Sequence, residues 1–129
     1  MLMKVFPHGT GEGDKPSRYL VRPDYPGRDT APPQVLRGDP AMTRALVDSI
    51  ERRWKFTSGV LSWHPDDKVS EEQEEEVMDA FEQVAFAGLE ADQRNILWVR
   101  HTHAGHHELH FLIPRLELSS GKDFNACPP

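Results

Sequence analysis

The stretch NILWVRHTHAGHHELHFLIPRLEL, residues 95–118, decides the fold of this chain. Its aromatic and β-branched residues predict two strands, from Ile96 to Thr102 and from Glu108 to Leu118. The tight connection Ala104-Gly105 joins them, so the stretch predicts an antiparallel hairpin. Side chains alternate between the two faces of a sheet along each strand, so the hairpin presents a different set of residues to each side.

Five of the seven histidines lie in this hairpin, together with Glu108. Glu108 and His110 share one face of the second strand, and His101 and His103 share one face of the first. A turn near residue 105 would bring residues from both strands to one side of the sheet, where they could hold a cation. Two imidazoles and a carboxylate, from His101, His110 and Glu108, leave open positions for water or substrate, as a catalytic metal requires.

The ligand set alone leaves the metal ambiguous. Nitrogen ligands suit Zn, Mn, Ni or Co, and the carboxylate also tolerates Mg. The alternative interpretation is a group of solvated histidines at a hairpin tip. We interpret His106 and His107 as turn or surface residues in either case.

The rest of the chain predicts two main helices and two further strands. Asp39 as N-cap with Pro40 at the first helical position predicts one helix, and helical spacing predicts that its buried face carries Met42, Leu46, Ile50 and Trp54. A capping box begins the other helix at residue 70. The remaining predicted elements are a strand at 2–6, a short helix at 15–22, an irregular loop at 23–38 and a strand at 56–63. This order favours an α+β fold, with a mostly antiparallel sheet and both main helices packed on one face.

Composition indicates one domain in the 129 residues. The net charge of −6 argues against nucleic acid, but residues 66–92 hold eleven of the twenty-one acidic residues and only one base. The remainder of the chain carries a net charge of +4, so a nucleic-acid partner is not excluded. No apolar run is long enough to span a membrane, and we expect a cytoplasmic location.

The pattern His101-x6-Glu108-x-His110 resembles the metal motif of plasmid mobilisation relaxases, MobA/VirD2-like members of the HUH superfamily of endonucleases. Many relaxases have three histidines at this spacing, and one branch has glutamate second and asparagine third. This chain combines the glutamate of that branch with the third histidine of the other form. Further segments are similar to relaxase segments in the same order: VLRGDP at 35–40, FAGL at 86–89, LWVRHTH at 97–103 and ELHFLIPRLELSSGKDFNACPP at 108–129.

The resemblance covers nearly the whole chain and implies an HUH, palm-like core related to the ferredoxin fold. It implies a single relaxase nuclease domain over residues 1–129, cut short at its C-terminal end. The family's nucleophilic tyrosine lies near the N-terminus and corresponds to Tyr19 in SRYLV. The implied activity is metal-dependent nicking and rejoining of single-stranded DNA at an origin of transfer, through a 5′-phosphotyrosine. The implied partners are that DNA and accessory mobilisation proteins.

Phosphodiester chemistry is consistent with this resemblance. A free phenol titrates near pH 10, so Tyr19 needs a base or a nearby cation at neutral pH. His103 is a candidate base or a residue that supports the ligands from beside them, and Mg or Mn is the expected metal. Tyr25 is the only other tyrosine and therefore the natural control.

Several basic residues are candidates for DNA binding. Lys15, Arg18 and Arg22 surround the predicted nucleophile, while Arg100 and Arg115 flank the histidine cluster. We expect these five side chains to bind phosphates on the face where the chemistry occurs. Other bases, including Arg28 and Arg53, add charge or are plain surface residues.

Two other readings compete with catalysis on DNA. His101-x-His103-x4-Glu108 fits the first half of the cupin metal motif, although two long helices do not suit a small β-barrel. The chain could also be a relaxase remnant that binds DNA and cannot nick it. A position of Tyr19 far from the predicted ligands would favour the remnant.

Overall fold

A computed structural model describes residues 1–11, 14–23, 26–28 and 31–128, apart from the side chains of residues 14, 15, 17 and 18. No helix in these ranges is both long and apolar enough to cross a membrane. A single 3₁₀ turn covers Ala91–Gln93. The other elements are β1 (Leu2–Val5), α1 (Asp14–Val21), β2 (Gln34–Arg37), α2 (Pro40–Ser49), β3 (Phe56–Ser62), α3 (Glu71–Ala85), β4 (Leu97–His101) and β5 (Glu108–Pro114).

Five strands form one sheet in the order β1-β3-β5-β4-β2, and every neighbouring pair is antiparallel. The predicted hairpin is its centre, with Leu97 opposite Leu112 and His101 opposite Glu108. Gly105 has a φ of 86° in the connecting turn, a conformation that glycine adopts without the Cβ penalty of other residues. The predicted α+β class and antiparallel sheet are confirmed.

The helices lie on both faces of the sheet and not on one. Met78 of α3 packs against Trp98 and Phe111, in the larger of the two buried clusters. Leu20 of α1 packs against Leu97 and other side chains on the opposite face of the sheet. Helix α2 contacts both α1 and β5. Strand alternation gives the central strands two apolar faces, and each face must be covered.

The two main helices begin where their caps predict. The Asp39 side chain accepts a hydrogen bond from the Ala41 backbone N–H, and Ser70 forms the predicted capping box of α3. The buried face of α2 differs in part from the prediction. Ile50, directly after the helix, is buried as predicted, but the buried residues inside the helix are Thr43 and Val47. Met42 is exposed because the helix packs through the face that carries Thr43 and Val47, and Trp54 is exposed beyond the end of the helix at residue 49.

Strand β2 lies inside the stretch predicted to be an irregular loop. It contains only four residues and pairs with β4 through a shifted register between Val35 and Arg37. Gly38 follows it with a φ of 87°, and a Cβ there would lie 2.3 Å from the carbonyl oxygen of Ile96. The strand therefore depends on a close approach to β4 that short-range sequence patterns do not encode.

Candidate metal centre

Three side chains meet on the α1 face of the central hairpin. His101 ends β4 directly opposite Glu108, which begins β5, and His110 lies two residues further on the same face. One ligand atom from each residue lies within 4.8 Å of the other two. His110 Nε2 is 3.1 Å from Glu108 Oε1, and the ring centroids of His101 and His110 are 4.2 Å apart. The hairpin thus brings together all three predicted ligands.

The protonation states of these side chains suit a metal ligand set. Burial lowers the pKa of His101 to about 4, and the positive charge of Arg28 contributes in the same direction. Hydrogen bonding to His110 lowers the pKa of Glu108 to about 2, despite the opposing effect of burial. His101 is therefore a neutral imidazole at pH 7 and Glu108 a carboxylate, which are the forms that bind metals.

One ring nitrogen of His101 forms a hydrogen bond within the protein. Its Nε2 lies 2.7 Å from the backbone carbonyl oxygen of Leu20. Because a carbonyl can only accept a hydrogen bond, Nε2 carries the proton and Nδ1 has the lone pair. Such a bond to a backbone carbonyl commonly fixes the orientation of a metal-binding imidazole.

The donor set fits a divalent cation. Two imidazoles and one carboxylate suit Mn, Zn, Ni or Co, and Mg is also tolerated by the carboxylate. Among the residues that the structure describes, these three form the one group of histidine, cysteine and acidic side chains close enough to hold an ion. Three protein ligands leave coordination positions for water or a substrate oxygen.

Tyr19 lies beside this group. Its ring centroid is 6.4 Å from that of His101, in an edge-to-face arrangement, and its side chain is 43% exposed. The residue that follows it, Leu20, is the one whose carbonyl contacts His101. The structure therefore places the predicted nucleophile near the predicted ligands, whereas Tyr25 lies outside the described residues.

The other histidines of the hairpin take different positions. The ring centroid of His103 is 5.3 Å from that of His101, and burial lowers the pKa of His103, with a further contribution from the nearby Arg28 charge. His106 Nε2 lies 2.9 Å from Glu108 Oε2, so His106 contacts the cluster and is more than a surface residue. His107 points to the opposite face, where its Nε2 is 2.6 Å from the buried Glu74.

Two of the five predicted phosphate-binding residues lie away from the cluster. Arg100 points to the α3 face and donates hydrogen bonds to Glu74, because its position alternates with that of His101. Arg115 follows β5 at the end opposite Glu108 and donates two hydrogen bonds to Asp123.

The other three residues belong to the segment that carries Tyr19. Arg22 is exposed immediately after the end of α1. The side chains of Lys15 and Arg18 lie outside the described part of the structure.

Sequence reasoning missed Arg28, which is fully buried. Its guanidinium carbon lies 4.9 Å from the centroid of the Tyr19 ring. Nη1 donates hydrogen bonds to the backbone carbonyl of Tyr19 and, at 2.9 Å, to that of Arg22. The local sequence contains no signal for this position, because the contacts join a turn to a helix that precedes it by several residues.

Comparison of the chain with known proteins identifies a family that it matches. Residues 39–128 match the family described as "Relaxase: MobA/VirD2-like, nuclease domain". The chain is similar to "Cryptic plasmid protein C" of Neisseria gonorrhoeae, with 43% identity over 122 residues, which is 95% of this chain and 58% of that protein. It is also similar to "DNA relaxase MbeA" of Escherichia coli, with 39% identity over 122 residues, 95% of this chain and 23% of that protein. The chain therefore spans only part of the length of either relative.

Proposed function

Because this chain belongs to the family of MobA/VirD2-like relaxase nuclease domains, we propose that it nicks and rejoins single-stranded DNA at an origin of transfer during plasmid mobilisation. A relative is itself named a DNA relaxase. The observation that carries the proposal is the position of Tyr19, whose ring lies 6.4 Å from a member of the metal-ligand group. A nucleophile must lie close to the groups that stabilise its transition state.

In the proposed reaction, the phenol oxygen of Tyr19 attacks the phosphorus of one phosphodiester. The new bond is a 5′-phosphotyrosine, and the bond to the 3′ oxygen breaks to leave a free 3′-hydroxyl. His103 accepts the phenol proton and returns it to the departing 3′ oxygen, a role supported by the lowered pKa that keeps its imidazole neutral at pH 7. One phosphodiester bond replaces another, so the 3′-hydroxyl can reverse the step and rejoin the strand.

His101, Glu108 and His110 would hold the divalent cation. When bound, such a cation supplies positive charge beside the non-bridging phosphate oxygens. The protein's own part is to keep His101 neutral and oriented through the Leu20 carbonyl, and to keep Glu108 ionised through its contact with His110. Mn and Mg are the metals that we propose for the reaction.

DNA binding is proposed for the segment that carries the nucleophile. Exposed Arg22 follows α1 directly, and Lys15 and Arg18 lie on the same helix. Phosphates bound there would lie near Tyr19. Arg100 and Arg115 are less suitable, since both already bind carboxylates away from the cluster. Accessory mobilisation proteins remain proposed partners.

The test is a covalent capture assay on DNA. A single-stranded oligonucleotide from the cognate origin of transfer, labelled at its 3′ end, is incubated with the protein and Mn²⁺ and run on a denaturing gel. We expect a protease-sensitive adduct that disappears in Tyr19→Phe and persists in Tyr25→Phe. An adduct that survives in Tyr19→Phe would exclude this nucleophile.

A matched experiment addresses the metal. Glu108→Ala removes one ligand, so titration calorimetry with Mn²⁺ should show much weaker binding, and adduct formation should no longer respond to the metal. Glu72→Ala, an exposed glutamate on α3, is the control and should leave both measurements unchanged. Full Mn²⁺ affinity in Glu108→Ala would contradict the proposed ligand set.

The structure bears differently on the two competing interpretations. The cupin-like interpretation is wrong, because the strands form an open five-stranded sheet between helices. The non-catalytic remnant loses its main support, since Tyr19 lies beside the ligand group. The capture assay decides it, as a remnant would bind the oligonucleotide and give no adduct.

A further inference from the structure

Arg28 makes an unusual set of contacts for an arginine in a turn. It is fully buried, and its guanidinium group approaches both the ring and the backbone of Tyr19. The Tyr19 and Arg22 carbonyls that accept from Nη1 belong to the end of α1, where the last carbonyls of a helix have no intrahelical donor. A cation is also favoured there by the helix dipole.

The turn that carries Arg28 is itself fixed against the histidine hairpin. Gly27 has a φ of 86°, and a Cβ at this position would lie 3.2 Å from the carbonyl oxygen of His103. The turn thus lies against the hairpin through Gly27, and Arg28 connects the same turn to the end of α1.

From these contacts we propose that Arg28 is a positioning residue that holds the Tyr19 ring against the metal-ligand face. Stacking on the ring restricts its rotation, and the hydrogen bonds to the α1 carbonyls fix the backbone from which the ring projects. This role rests on the proposed function of Tyr19 as the nucleophile. A planar group with several donors is needed for both contacts at once, which arginine provides and lysine does not.

Two substitutions distinguish a positioning role of Arg28 from an effect of its charge and from an effect of capping α1. Arg28→Met keeps a long apolar side chain and removes the charge and the donors. Arg28→Lys keeps the charge and one donor group, which can still cap α1, but it has no planar face to stack on the ring. Arg53→Met is the matched control, because Arg53 stacks over Trp54 at 4.6 Å on a different part of the surface.

The first readout is the capture assay under single-turnover conditions. We expect both Arg28 variants to form the adduct about 100-fold more slowly, as a displacement of the order of 1 Å from the reactive geometry can cost that much. The oligonucleotide Kd should stay within about threefold of the parent value, because the phosphate-binding residues are unchanged. Adduct formation at the parent rate in Arg28→Met, or full rescue by Arg28→Lys, would overturn the positioning role.

The second readout needs neither DNA nor activity. In a Tyr25→Phe background Tyr19 is the only tyrosine, so tyrosine labelled with ¹³C in the ring gives one set of ring signals in the NMR spectrum. With Arg28 present, we expect shifts displaced from those of free tyrosine by the neighbouring His101 ring and the stacked guanidinium. Both Arg28 variants should move the signals at least halfway to the free values, and Arg53→Met should not.

The two readouts distinguish failure of the inference from failure of the proposed function. A parent protein that forms no adduct would contradict the nucleophilic role, while the NMR comparison would still show whether Arg28 orders the ring. Ring signals that stay unchanged in Arg28→Met would overturn the positioning role even if the parent protein nicks DNA efficiently. Thermal unfolding of each variant confirms that the comparison is made on folded protein.

Discussion

Replacing Glu74 by glutamine should destabilise the protein strongly, although the side chains differ little in size. The Glu74 side chain is only 3% exposed and accepts hydrogen bonds from Arg100, with an Nε to Oε2 distance of 2.7 Å, and from His107 at 2.6 Å. Burial alone would raise the pKa of Glu74, but these hydrogen bonds outweigh it and hold the pKa below its usual value. The folded state therefore favours the carboxylate, and Glu74→Gln leaves the Arg100 cation without its counter-ion.

Removing one member of a buried ion pair typically costs about 3–5 kcal/mol. The Arg100 side chain is 19% exposed, and water can partly replace the lost charge, so we expect the lower end, about 3 kcal/mol. The entropy of unfolding of 129 residues is on the order of 0.27 kcal/mol per kelvin, so the Tm should fall by about 10 °C.

The assay is urea unfolding at pH 7, supported by thermal unfolding. Glu75→Gln provides the control, because Glu75 is 60% exposed and bonds to Arg37 at the surface, where a pair contributes at most about 1 kcal/mol. The double variant Glu74→Gln/Arg100→Gln should recover part of the loss, as the uncompensated charge is removed with its partner. A Glu74→Gln protein within about 1 kcal/mol of the parent would refute the reasoning from burial.

Three further perturbations have defined outcomes. In the presence of a chelator, His101→Asn should flatten the loss of stability on acidification. The pKa of His101 is 6.5 in the unfolded chain and about 4 in the folded protein, so the unfolded chain takes up the proton first as the pH falls. The parent protein therefore loses up to roughly 3 kcal/mol of stability between those pH values. Gly38→Ala should cost more than 2 kcal/mol in urea unfolding because its Cβ would lie 2.3 Å from a backbone oxygen, whereas Gly88→Ala, at the same φ with open space, should cost about 1 kcal/mol. Ser70→Ala removes the capping box of α3 and should lower the Tm by about 4 °C.

The sequence was sufficient for the hairpin and for the grouping of its three candidate ligands, because both depend on local rules. Alternation along two adjacent strands and one tight turn determine that His101, Glu108 and His110 share a face. The start of α3 was equally predictable, since a capping box involves only residues 70 to 73. Each of these features is encoded within a few residues of where it appears.

Features that depend on distant contacts were not predictable in the same way. An amphipathic helix must bury its apolar side, but its sequence pattern does not determine which face of the sheet it packs on. The sequence therefore did not predict that α2 and α3 lie on opposite faces. Strand β2 forms only by pairing with β4, which is distant in sequence. The contact of Arg28 with Tyr19 joins residues whose neighbours in sequence show no complementary pattern.

The alternation of the hairpin also explains how the three candidate ligands on β4 and β5 can be ordered before a metal binds. Arg100 and His107 are fixed to Glu74 on the α3 face, while the next residue in each case, His101 and Glu108, points to the α1 face. Two of the three candidate ligands therefore follow a residue that is anchored on the other side of the sheet. Candidate ligands held in this way would lose little conformational freedom on binding a cation, which would strengthen binding without any additional contact to the metal.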